Sequence, residues 1–116
     1  MGDQWPVEAV LSEVTAICSN ATAQDVVVGP VPNGQTWIVE RVQAYDPDHT
    51  VTSLELIIVR GGLVFRLDRY VPAAAVYQYT FTGRAYVPEG CSVGVRFNAA
   101  TSADYLRVTV NGRISR

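Results

Sequence analysis

Three times in the second half of the chain, apolar and polar residues alternate without interruption. Tyr77, Tyr79 and Phe81 oppose Gln78, Thr80 and Thr82; Cys91, Val93, Val95 and Phe97 oppose Ser92, Gly94 and Arg96; Leu106, Val108 and Val110 oppose Tyr105, Arg107 and Thr109. A period of two sends successive side chains to opposite faces of an extended backbone, so each run predicts a strand with one buried and one wetted face. Pro88-Glu89-Gly90 and the stretch 98–103 supply turns between these strands, and Asn111-Gly112 predicts one more near the end.

The first half carries the same signals less regularly. In Gly29 to Tyr45, GPVPNGQTWIVERVQAY, two prolines and Asn33-Gly34 stop one extended run, Gln24 to Val28, and turn the chain into a second, Thr36 to Tyr45. Apolar residues of both parities occur in the second run: Trp37 and Val39 against Ile38, Val42 and Ala44. A bulge, or a face covered on both sides, accounts for that change of parity. After an Asp46-Pro47-Asp48-His49-Thr50 loop, Leu54 to Arg60 is apolar on both faces and reads as a central strand. Gly61-Gly62 then closes a hairpin onto Leu63, Phe65 and Leu67, which alternate with Val64, Arg66 and Asp68. Residues 70–76, with Pro72 and three alanines, read as a loop.

Residues 6–18 support two readings. Val7, Val10, Leu11, Val14, Ile17 and Cys18 follow helical spacing, whereas the β-branched residues and the alternation of Val14, Ala16 and Cys18 favour a strand. The expectation is an extended arm that becomes a strand near Glu13, with a short helix at 6–12 as the alternative. About eight short strands with turn chemistry between them and no long helix predict a single all-β domain. It is an antiparallel β-sandwich of the jelly-roll kind over residues 20–116, preceded by an N-terminal arm or first strand over 1–19.

Composition narrows the partners. At 116 residues the chain can bury about two-thirds of its unfolded surface, so one domain needs neither metal nor disulfide to fold. With 48% hydrophobic residues broken evenly by polar ones, it matches neither a disordered chain nor a membrane-spanning one. A net charge of −2 lacks the basic footprint of a nucleic-acid binder. All nine basic residues are arginine, which reads as a coding bias more than as nine needs for guanidinium. The widely spaced Cys18 and Cys91 lie among apolar residues and are expected as two buried thiols. The N-terminus, with Asp3 and Glu8 around a broken apolar run, shows no signal peptide.

Candidate chemistry is sparse. His49, the single histidine, lies with Asp46 and Asp48 in a loop lacking the glycine and distal glutamate of a calcium site, so a solvated turn capped by an aspartate is expected, with no metal and no cofactor. One histidine cannot build a metal-dependent jelly-roll enzyme, and no G-x-S-x-G element is present, so no catalytic site is expected. Tyr77 and Tyr79 share a face with Phe81 and read as core, whereas Tyr105 falls on the wetted face of its strand with Arg107.

Several segments together carry a resemblance: VVVGPVPNGQTWIVERVQAY, with P-x-G-x-x-W-x-V-x-x-V; LELIIVRGG; YVPEGCSVGVRF, with P-x-G-x-x-V-x-V-x-F; and ATSADYLRVTVNG, with A-x-x-x-D-x-L-x-x-x-V-x-G. In this order residues 24–112 resemble the small jelly-roll virion proteins of tailed bacteriophages, which include head-decoration and some tail or fibre proteins. The resemblance implies a non-enzymatic structural role as a homo-oligomer, often a trimer, on a capsid or tail surface, made in the host cytoplasm. It points first to a decoration protein binding the major capsid protein or another virion protein, and second to a carbohydrate- or receptor-binding module using loops 46–53 and 68–76, with Tyr70 as a contact. On the first reading, Trp5, Pro6 and Val7 are the expected anchoring arm, and Tyr105 and Arg107 the expected subunit contacts.

Overall fold

Strand pairing follows a nested order, in which the first strand meets the last and each successive strand meets one nearer the middle. A computed structural model of the chain describes residues 9–19, 22–47, 49, 51–72 and 78–116. Among these it contains β1 (Ala9–Ile17), β2 (Ala23–Val28), β3 (Thr36–Tyr45), β4 (Ser53–Arg60), β5 (Leu63–Tyr70), β6 (Gln78–Pro88), β7 (Ser92–Asn98) and β8 (Tyr105–Ser115), and no helix. Two four-stranded sheets, β1-β8-β3-β6 and β2-β7-β4-β5, form a sandwich, and every pair is antiparallel. Only β4 and β5 are consecutive neighbours in a sheet, joined through Gly61 and Gly62.

Inward residues of both sheets make one core. Val39, Val42, Phe81, Leu106, Val108 and Val110 meet Val26, Val28, Leu54, Val93, Val95 and Phe97 in a single cluster. Full burial of such side chains contributes roughly 1.5–3 kcal/mol each before the entropy of ordering them is subtracted. Cys18 and Cys91 are both buried in the core, not joined in a disulfide, and pack as small side chains.

The parity change in β3 is a bulge. Val39 and Arg41 flank Glu40, which has no counterpart on β8 between Gly112 and Asn111, while on the other side Gly83 and Arg84 together face Glu40 from β6. The extra residue lets Trp37 and Val39 before it and Val42 and Ala44 after it all point into the core. Two expectations are corrected here. The turn expected at Asn111-Gly112 does not form, because β8 runs through both residues to Ser115. A Cβ at Gly112 would run into the carbonyl oxygen of Ile38 and the Cα of Val39, so this glycine serves a close approach of backbones at the bulge.

The second correction concerns the N-terminal segment. The strand begins at Ala9, ahead of the expected Glu13, and pairs with β8 residue for residue from Ala9↔Arg113 to Ile17↔Tyr105. Residues 9–12 are therefore strand and not helix, because the unpaired edge of β8 satisfies their backbone groups. Any arm is confined to residues 1–8, which lie outside the described residues, as does the expected boundary at Asn20.

Candidate interaction surface

One side of the sandwich is open, where the edge strands β5 and β6 of the two sheets run past each other. The cause begins in β5, which has one residue more than β4 between the pairs Ile57↔Arg66 and Leu56↔Asp68, so that Leu67 is bulged out. Paired residues of an antiparallel ladder share a face. Leu56 and Ile58 pack on the core and pair with Asp68 and Phe65, which puts Phe65 and Asp68 on the inner face. Arg66 shares the outer face with Ile57 and, through it, with Gly94 of β7.

The inner face of β5 is not covered. Leu63 is 63%, Phe65 52% and Leu67 48% exposed, whereas Tyr86 of β6, 60% exposed, pairs with Ile38 on the outer face of its own sheet. A cleft of about 330 Å³ lies between these strands, walled by Leu56, Ile58, Leu67, Asp68, Ala85 and Tyr86, with Gly83 contributing no side chain to its rim. Val64 and Val71 add exposed apolar surface along the same edge. This is an exposed apolar edge on a strand that has no further sheet neighbour among the described residues.

The sequence placed its candidates elsewhere. Trp5, Pro6 and Val7 lie outside the described residues. Tyr105 is exposed on the outer face of the β1-β8-β3-β6 sheet, beside the equally exposed Ile17. Arg107 lies two residues along the same face, with its Nε 3.8 Å from Glu13 Oε1 and its guanidinium 5.6 Å above the Tyr45 ring. These neighbours hold Arg107 flat on its own sheet, away from the open edge.

The aspartate loop is more tightly built than a solvated turn. Asp46 is buried and its Oδ1 accepts a hydrogen bond from the His49 N–H at 3.2 Å, so the expected backbone cap forms, but from inside the protein. His49 Nδ1 lies 2.9 and 3.0 Å from the two carboxylate oxygens of Asp104, which is itself buried. The N–H of Cys18 donates to the Asp104 carbonyl at 2.8 Å, and that of Ala103 to the Cys18 carbonyl at 2.9 Å. These contacts tie the 46–49 loop and the end of β1 to the start of β8. Among the described residues no group of three His, Cys, Asp or Glu side chains could hold a metal ion. Asp48 and Thr50 lie outside the described residues.

The tyrosines bear on the carbohydrate-binding alternative, which takes Tyr70 as a contact. Tyr70 closes β5 where a loop was expected, and it stacks on Tyr79 at 3.7 Å; Tyr79 in turn meets Phe81 edge-on at 4.9 Å. Both tyrosines are thus engaged within the sandwich, and Tyr77 lies outside the described residues. Comparison with protein-family models and with curated sequences finds no match for this chain.

Proposed function

We propose that this protein is a non-enzymatic structural component of a bacteriophage virion, a homo-oligomer that decorates the capsid by binding the major capsid protein. The observation that carries this reading is the exposed apolar edge of β5, from Leu63 to Leu67. Such a surface fits permanent contact with another protein chain, and stabilising a shell requires complementary area and no reaction chemistry. Two further features support it. The nested pairing of β1 with β8, β2 with β7, β3 with β6 and β4 with β5 fits the jelly-roll reading of this β-sandwich. The four segments of the resemblance fall on β2 and β3, on β4 and its turn, on the end of β6 with β7, and on β8.

The test is solution mass by light scattering at micromolar concentration, followed by cosedimentation with purified undecorated capsids. The expected result is an oligomer that pellets with the particles. A monomer that stays in the supernatant would overturn the reading and turn attention to glycan binding.

A further inference from the structure

We infer that the partner on the open edge is a second copy of this chain, its β5 laid antiparallel against the first with Phe65 on the two-fold axis. This rests on the reading of the protein as self-assembling and adds to it the partner and the register. Among the described residues β5 is the last strand of its sheet, so its outer backbone groups are placed to continue the ladder. The apolar side chains of the strand, Leu63, Val64, Phe65 and Leu67, expose on the order of 300–400 Å² per copy, taking roughly 150–200 Å² for a full large side chain. With the backbone edge and the flanking charges, that comes near the roughly 600 Å² per partner at the low end of specific interfaces.

The bulge selects the register. A two-fold pair of antiparallel strands keeps inner faces together, so a residue opposes only one of its own face. Because Leu67 is the extra residue, Leu63, Phe65, Leu67 and Asp68 belong with the inner face, and Val64 and Arg66 with the outer. Centring the pair on Arg66 would oppose two guanidinium groups. Centring it on Leu67 would set outer Arg66 against inner Asp68. Centring it on Phe65 sets Phe65 against Phe65, and Leu63 against Leu67 of the second copy, in an unbroken apolar row.

Charge completes the match. In this register Asp68 falls opposite Gly62 of the second copy, a turn residue beyond the strand with no side chain to set a face, and one strand away from that copy's Arg60, which shares the inner face through its pair with Leu63. Arg60 and Asp68 form no ion pair among the described residues, whereas Asp25, Glu13 and Glu40 all do. Two symmetric Arg60–Asp68 pairs would close the ends of the apolar row. Both β6 strands then lie on one side of the joined eight-stranded sheet, with the two Tyr86 clefts facing each other across it.

Cysteine cross-linking tests the register directly, since the native Cys18 and Cys91 are buried. The Phe65→Cys variant should form a covalent dimer on mild oxidation. Leu63→Cys and Leu67→Cys should each cross-link only when the two variants are mixed. Phe65→Glu should weaken self-association at least 100-fold and leave the unfolding temperature of the dilute, dissociated chain unchanged, because the side chain is already half exposed in one copy. Cross-links in this pattern, in a dimer or an even-numbered oligomer, support the inference. An oligomer without the Phe65 cross-link, including the trimer that the resemblance implies, would overturn this pairing and leave the assembly reading standing. A wild-type monomer would overturn both. If Phe65→Glu fails to fold, the cross-linking pattern still decides.

Discussion

Gly112 shows at the scale of one residue why a sequence can signal a turn where a strand runs. An Asn-Gly pair reads as a turn from local chemistry, yet here the missing Cβ is required by the backbone of β3, which approaches at Ile38 and Val39. That reason is tertiary and leaves no local signature. Gly112→Ala should lower stability by about 1–3 kcal/mol, since the clash is with backbone that must shift. Gly62→Ala in the β4–β5 turn, with nothing near its Cβ position, should stay within about 1 kcal/mol of the wild type. Urea denaturation of the two variants checks the contrast. The His49–Asp104 contact was equally hidden, because 55 residues separate its partners and only the fold brings them together. His49→Ala removes the imidazole from a buried carboxylate and should cost about 1–3 kcal/mol by the same measurement.

Among the elements, the change of parity in β3 was legible, since Trp37 and Val39 on one count and Val42 and Ala44 on the other cannot share a face of a regular strand. The fate of β5 was not. Its alternation of Leu63, Phe65 and Leu67 suits a buried face, but whether the opposing sheet reaches over that face depends on the length and path of β6. Charge pairs between elements give a separate check. Across β2 and β7, Arg96 holds Asp25 with both ends of its guanidinium, at 2.7 Å from Nε and 3.0 Å from Nη2. The hydrogen bond to Asp25 foremost, with the charges of Asp25 and Glu55, raises the Arg96 pKa above its ordinary value against the opposing pull of burial. A raised folded-state pKa stabilises fully below the unfolded value and is lost only as pH climbs through the folded one. The arginine's contribution should therefore be level from about pH 6 to about pH 9. Each side chain keeps about a third of its surface in water, so Asp25→Asn should cost only about 0.5–1 kcal/mol, and less in high salt. Stability that varied steeply with pH over that window in the wild type but not in the variant would contradict this assignment.

For the molecule as a whole, the β class and the strand count could be read from alternation and turn residues, and the exposed apolar edge of β5 could not, because exposure is settled by how two sheets overlap. Deleting residues 1–8 leaves every β1 pair intact and should preserve the folded sandwich by circular dichroism. If Trp5, Pro6 and Val7 grip the capsid, the same deletion abolishes cosedimentation, and unchanged pelleting would refute the arm. Extending the deletion through Ile17 strips β8 of its neighbour and should cause aggregation, visible as light scattering that grows with concentration. The nested pairing also sets an order of events as the chain folds. β4 and β5 are separated by two residues and can zip within microseconds, whereas β1 and β8 must close a loop of nearly the whole chain. Folding should thus proceed from the Gly61-Gly62 turn outward over milliseconds to seconds. A chain leaving the ribosome cannot complete its first sheet until its final strand has emerged, so β1 waits longest for a partner.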